Sequence, residues 1–114
     1  MDRLAAAVAK HGMTVVARVD HAGAAAKVGL ELRPTELLVF GNPRAGTPLM
    51  QASQLIGIDL PLRALVWQDE AGKVWVAIAD PSALASRHGI AATTGKTIEQ
   101  MTAALDAVVR EATT

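Results

Sequence analysis

Apolar residues change their spacing several times along the chain, and each change coincides with glycine, proline or asparagine. Four short segments are rich in β-branched and other apolar residues, a composition typical of strands. They cover residues 13–20, 36–40, 62–69 and 73–79. The compact Glu-Ala-Gly loop between the last two predicts that they form an antiparallel hairpin.

Other segments place apolar residues at helical spacing and end at a glycine or begin at a capping residue. Three predicted helices end at a glycine: one around Leu4 and Val8 that ends at Gly12, one over 22–28 that ends at Gly29, and one over 47–56 that ends at Gly57. A fourth, over 80–88, begins with Asp80-Pro81. The last begins at Thr97, where Gln100 completes a capping box. The last helix carries an apolar stripe suited to covering a sheet. The chain is therefore expected to form a single α+β domain, residues 1–114, with helices on one face of an antiparallel sheet.

The stretch FGNPRAGTPLM, residues 40–50, joins the end of a strand to the start of a helix. Asn-Pro at 42–43 stops the strand because proline cannot donate a hydrogen bond to the sheet. Thr47 is the predicted N-cap, followed by proline at the first helical position. A helix N-terminus beside Arg44 and Gly46 suits the binding of an anion. The alternative is turn and capping chemistry without a ligand.

His21 follows the first predicted strand and lies next to Asp20. Alternation along the strand places its side chain on the apolar face with Val15, Ala17 and Val19. A neutral imidazole at this position suits a metal ion or a haem iron, so Asp20 and His21 are candidate ligand-binding residues and His21 is the candidate metal ligand. The alternative is a strand-end histidine satisfied by a protein partner.

The other two histidines, His11 and His88, each precede a glycine that closes a helix, where a cation or donor is favourable. Three isolated histidines without i, i+4 spacing give a weak zinc signal. The spacing of the acids shows no Ser-His-Asp set and no carboxylate pair. The sequence therefore leaves open whether the protein is an enzyme.

Trp67 and Trp75 lie on the two hairpin strands and share a face if those strands pair in register. Ala77 and Ala79 follow on the same face, and small residues beside a large indole predict a cavity, close to the candidate histidine and to Met50. The alternative is that both indoles fill the core.

Composition excludes several classes of function. Hydrophobic residues make up 51% of the 114 residues and aromatic residues 3%, so a core of Val, Leu and Ile is expected. Eleven basic and eleven acidic residues balance, which argues against nucleic acid or an anionic membrane as a partner. Without cysteine the chain forms no disulfide and no thiolate site. The N-terminal segment resembles neither a signal peptide nor a membrane span, so a cytoplasmic location is expected.

Four blocks, VARVDHAGAA at 16–25, LRPTELLVFGNPRAGTPLMQ at 32–51, GIDLPLRALVWQDEAGKVWV at 57–76 and DPSALASRHGI at 80–90, carry a resemblance to the domain-of-unknown-function 302 family. The resemblance implies a TATA-binding-protein-like α+β fold with a β-α-β4-α core. It also implies a homodimer, and it supplies no established activity.

Two features depart from that family. The chain begins almost directly at its first helix and lacks the usual first strand, which is expected to leave a sheet edge open to a partner chain. Ile78-Ala79 stands where the family often has Tyr-Asn, so a pocket at that position is expected to be larger and more apolar.

Three functions remain open from the sequence. The first is a homodimeric domain that binds a small molecule or an anion through the candidate residues above. The second is a haem-binding protein with His21 as axial ligand. The third is a structural dimerisation domain.

Overall fold

The computed structural model describes all 114 residues. The helices are α1 (Asp2–Lys10), α2 (His21–Lys27), α3 (Pro43–Ala52), α4 (Pro81–Arg87) and α5 (Ala91–Thr113), and the strands are β1 (Thr14–Asp20), β2 (Thr35–Gly41), β3 (Leu62–Gln68) and β4 (Val74–Ile78). A short 3-10 turn, Gln54–Ile58, follows α3. The expected α+β fold is confirmed.

The four strands form one antiparallel sheet in the order β1-β2-β3-β4, so β1 and β4 are its two edges. The predicted hairpin is confirmed, and its register places Trp67 directly opposite Trp75. Gly72 in the connecting turn has φ of +84°, a backbone conformation that glycine adopts without steric cost.

The core lies between one face of the sheet and the helices. Leu38, Phe40, Leu62 and Ala64 supply the sheet side, and all four are buried. Buried residues of α1, α3, α4 and α5 cover them, including the stripe Ile98, Met101, Leu105 and Val108 of α5. The prediction that helices cover one face is therefore confirmed.

The start of α3 differs from the sequence prediction. Asn42, not Thr47, is the N-cap, and its Oδ1 accepts a hydrogen bond from the Arg44 backbone N–H at 3.0 Å. Thr47 and Pro48 lie inside the helix. Asn42-Pro43 and Thr47-Pro48 are both start signals for a helix. Beginning at the earlier pair lengthens the helix by more than one turn. The cost is one missing backbone hydrogen bond, because Pro48 has no N–H to donate within the helix. The helix ends at Ala52, before the predicted stop at Gly57.

The start of α5 also differs, because the helix begins at Ala91 and not at Thr97. The buried Thr94 hydroxyl donates to the Ile90 carbonyl at 2.6 Å, so this threonine is satisfied within the helix. Ile90 itself is buried and anchors the first turn. The Thr97–Gln100 capping box is therefore an interior segment.

The predicted alternation along β1 is wrong because a bulge between Val15 and Ala17 shifts the register. Val15 pairs with Phe40, which faces the helices, whereas Ala17 pairs with Val39 on the opposite face. The apolar residues of β1 are consequently divided between the two faces, and every residue of the strand is exposed.

Candidate functional site

A cleft of about 570 Å³ opens on the helix side of the sheet. Its walls are the start of β1, the first turns of α3, residues 60–61 with the first residue of β3, and the middle of α5. It combines apolar residues with polar groups, the arrangement that small-molecule sites show.

The apolar part of the cleft is formed largely by methionine and leucine. Met13, Met50 and Met101 all line it, and these are three of the four methionines of the chain. Leu60 and Leu62 complete this surface. Methionine side chains are unbranched and polarisable, so they adapt to apolar ligands of different shape.

The polar part of the cleft is formed by the start of α3 and by α5. Asn42, Arg44 and Thr47 line it from α3, and Thr97 and Gln100 line it from α5. The Arg44 side chain is exposed and forms no ion pair or hydrogen bond within the chain. The lining contains no Asp or Glu, so Arg44 gives the cleft a positive charge.

The backbone at the start of α3 does not form the predicted anion cradle. The Arg44 N–H bonds the Asn42 side chain, and the N–H groups of Ala45 and Gly46 both bond the Asn42 carbonyl at 2.9 Å. Since these donors are already used, attraction for an anion at this place comes from the Arg44 guanidinium and the nearby side chains.

His11 lines the cleft, although no local pattern in the sequence selects it as a site residue. Its Nε2 lies 3.0 Å from Oε2 of Glu111, whose other oxygen accepts from Lys10 Nζ at 2.6 Å. The hydrogen bonds from Lys10 and then from His11 lower the pKa of Glu111. Sequence reasoning missed this contact because Glu111 is 100 residues away along the chain.

The structure divides the predicted site residues into two groups. Arg44, Gly46, Thr47 and Met50 come together in the cleft. The remaining residues, Asp20, His21, Trp75, Ala77 and Ala79, do not line it.

Asp20 and His21 lie where β1 passes into α2. Asp20 is the N-cap of α2, and its Oδ1 accepts from the Gly23 N–H at 2.9 Å. His21 is the first residue of α2 and is exposed, so the prediction that it continues the apolar strand face is wrong. The chain contains no group of three or more His, Cys, Asp or Glu residues placed to hold a metal ion.

Trp75 and Ala77 lie on the sheet face that the helices leave open, and Ala79 is exposed beyond the end of β4. Trp75 stacks on Trp67 with ring centroids 6.5 Å apart, and its Nε1 donates to Asp69 at 2.9 Å. This hydrogen bond is the main cause of the lowered pKa of Asp69. The predicted cavity beside the alanines is therefore not where the cleft forms.

Comparison with known proteins places this chain in a family. Residues 1–108 match the sequence model described as "Domain of unknown function DUF302". A crystal structure of an uncharacterised conserved DUF302 protein from Bacillus stearothermophilus has the same fold, with a TM-score of 0.86 and 20% identity over 97% of this chain and 86% of that chain.

Two curated relatives are proteins named "Fluoride-specific ion channel", FluC 1 of Brucella suis and FluC 2 of Brucella melitensis. Both are 46% identical to this chain over 112 residues, which is 98% of its length. The matched region covers 44% of the Brucella suis protein and 42% of the Brucella melitensis protein. The chain thus spans less than half of each relative. No helix here combines the length and the apolar character that crossing a membrane requires. The family match over residues 1–108 shows that the chain belongs to the DUF302 family.

Proposed function

We propose that this domain is a homodimer that binds a small molecule with an apolar body and one anionic group. The observation that carries the proposal is the cleft, in which Met50, Met101 and Leu60 form an apolar surface beside the unpaired cation Arg44. An apolar surface alone would select ligands by size and shape, and the guanidinium adds a preference for a carboxylate, sulfonate or phosphate.

The size of the cleft fits this class of ligand. A volume of about 570 Å³ lies within the range of small-molecule sites. Asn42, Thr47 and Gln100 offer further donors and acceptors around the charged group. The ligand is therefore expected to place its anionic group toward the start of α3 and its apolar part toward Met101 on α5.

Calorimetric titration with three probes tests this proposal. Octanoate carries both the apolar body and the charge, octanol carries the body alone, and sulfate carries the charge alone. Octanoate is expected to bind more tightly than either.

Arg44→Ala is the variant that separates the two contributions. Losing a charged hydrogen-bond partner is expected to weaken octanoate binding about tenfold while leaving octanol binding unchanged. Arg110→Ala, which removes an exposed arginine of α5 that does not line the cleft, is the matched control and is expected to change neither. Equal octanoate affinity in the Arg44→Ala and Arg110→Ala variants would contradict the proposed role of Arg44.

Assembly as a homodimer is supported by the apolar surface that remains exposed. Twelve large hydrophobic residues are exposed, among them Val19 and Trp75 on the sheet, and contiguous apolar surface marks interaction sites. Light scattering at micromolar concentration is expected to give twice the chain mass of 11.9 kDa. A mass equal to that of one chain would contradict the proposed assembly.

A second candidate function is haem binding, and His11 is the observation that favours it. His11 and three methionines line the same cleft, and histidine and methionine are the axial ligands of many haem proteins. Haem addition would then give a Soret band that His11→Ala removes and His21→Ala keeps, since His21 lies outside the cleft. Absence of the band from the unaltered protein would reject this function.

A further inference from the structure

The sheet face opposite the helices carries a row of apolar residues, with the exposed Arg63 on the same face. Cross-strand pairing aligns Val19, Leu37, Leu65 and Ala77 in one row across all four strands. None of these four residues is buried, whereas residues on the opposite face of the sheet form part of the core. Leu37 and Leu65 occupy the centre of this row, which we call the central row.

The stacked indoles extend this surface on one side of the central row. Trp67 and Trp75 pair across β3 and β4, and Trp75 is 43% exposed. Indoles are large apolar groups that usually lie in a core or an interface. The Lys73 ammonium lies 4.2 Å from the centre of the Trp75 ring, so the surface is apolar with a cation at its edge. The open face, defined here as the central row with both indoles, is a surface of the kind that marks an interaction site.

The accessible surface of the whole chain is also larger than expected for a compact monomer. Its accessible surface is 7061 Å², whereas a compact monomer of 11.9 kDa is expected to expose about 5,950 Å². The excess of about 1,100 Å², summed over the whole chain, is large enough to include the roughly 800 Å² that each partner contributes to an interface of standard size. The radius of gyration, 15.2 Å, likewise exceeds the roughly 13 Å expected for a compact domain of this length.

We propose that the open face is where a second copy of this chain binds, sheet packed on sheet, around a two-fold axis near Leu37 and Leu65. The inference rests on the homodimer proposed above and identifies its surface. An apolar face complements an identical one, as a two-fold interface requires. Arg63 lies on the same face, opposite Val39, and its guanidinium donates to the carbonyl of Ile58 in the 3-10 turn at 3.1 Å.

This interface leaves the cleft open in both copies. The cleft lies on the helix side of the sheet, and none of the open-face residues lines it. Assembly and ligand binding are consequently independent properties that separate variants can test.

Leu65→Lys places a charge at the centre of the open face and is expected to halve the mass measured by light scattering. Leu55→Lys is the matched control, because Leu55 is 78% exposed on the 3-10 turn and takes the same substitution away from this face. Its mass is expected to stay at that of the dimer. Far-ultraviolet circular dichroism establishes that both variants fold.

The unaltered protein provides a second measurement that does not depend on a variant. Trp67 and Trp75 are the only tryptophans, and both lie on the open face, so their fluorescence reports whether it is covered. Dilution that converts dimer to monomer is expected to shift their emission to longer wavelength and to increase quenching by acrylamide.

Each outcome is decisive for the open face. A dimer in which Leu65→Lys keeps the dimer mass, or in which dissociation leaves quenching unchanged, would overturn this surface while leaving the proposed homodimer in place. A monomer at all concentrations would overturn both. Octanoate binding that persists in a monomeric Leu65→Lys variant would confirm that the cleft acts independently of assembly.

Discussion

Asn42 determines where α3 begins, and it thereby sets the positions of the polar groups in the cleft. Its side chain caps the Arg44 N–H and its carbonyl accepts from two further N–H groups. Thr47, one turn later, presents its side chain to the cleft from within the helix. Asn42 therefore has a structural role as the cap, whereas the Thr47 side chain is not needed to begin the helix.

Substitution of these two residues should separate the roles. Asn42→Ala is expected to lower the free energy of unfolding by about 1 kcal/mol, because it removes the side-chain cap. Thr47→Ala should change it by no more than about 0.5 kcal/mol, as is usual at an exposed position. Urea unfolding measures the free energy of both variants. A larger loss in Thr47→Ala than in Asn42→Ala would show that Thr47, and not Asn42, caps the helix.

Asp59 forms an ion pair that gives the stability a dependence on pH. His88 Nε2 lies 2.6 Å from its Oδ2, and this hydrogen bond, more than the charge of Arg87, lowers the pKa of Asp59. A carboxylate with a lowered pKa in the folded state contributes stability above the unfolded pKa of 3.8, and that stability disappears as the pH falls through the folded value.

Asp59→Asn is therefore expected to destabilise the protein at pH 7, and the difference from the unaltered protein should disappear as the pH is lowered below about 4. Asp106→Asn, which alters an exposed carboxylate on α5, serves as the control and should show little effect at either pH. Urea unfolding at both pH values measures the difference. A destabilisation that is equally large at about pH 3 would rule out the ion pair as its cause.

At the scale of elements, the first turns of α3 form one wall of the cleft. Gly46 lies in its first turns, and a methyl group added there would lie 3.8 Å from Leu60 Cδ1 and 4.0 Å from Met50 Cε, with no atom closer. Both are ordinary contact distances. A methyl group therefore fits at this position and would take up space in the cleft.

Gly46→Ala is expected to have opposite effects on folding and on binding. Alanine should raise the free energy of unfolding by about 1 kcal/mol, since glycine is a poor helix former. The same methyl should weaken octanoate binding by narrowing the cleft. Parallel thermal unfolding and titration measure both, and a stabilised variant with unchanged affinity would show that the ligand does not contact this part of α3.

Prediction from sequence was accurate for elements whose signals are local. The β3–β4 hairpin followed from its turn residues, and Asp80 caps α4 as its Asp-Pro start indicates. The starts of α3 and α5 were misplaced because a second start signal lies inside each helix. The face of His21 was misassigned because a bulge in β1 changes the parity, and no residue type there indicates it.

At the scale of the whole molecule, the site depends on contacts that no local pattern contains. The cleft brings His11 near the N-terminus together with Gln100 on α5 and Leu60 before β3. Sequence reasoning found four of the lining residues because all four lie in one stretch, 44–50, with an unusual turn composition. The residues contributed by distant elements required the fold.

The proposed ligand-binding cleft and the proposed dimer interface lie on opposite sides of the sheet. Helices and the cleft lie on one side, and the open face with both indoles lies on the other. A homodimer packed through the open face would carry two cleft openings that face away from each other. Ligand binding is therefore expected to be possible in each copy without rearrangement of the interface.

Nuclear magnetic resonance of methionine methyl groups, recorded during addition of octanoate, tests the central claim most directly. The chain has four methionines, of which Met13, Met50 and Met101 line the cleft and Met1 does not. A ligand in the cleft is expected to shift the three cleft resonances together, with one dissociation constant, and to leave that of Met1 in place. Octanoate binding that leaves those three resonances unmoved, or that shifts all four equally, would contradict the account.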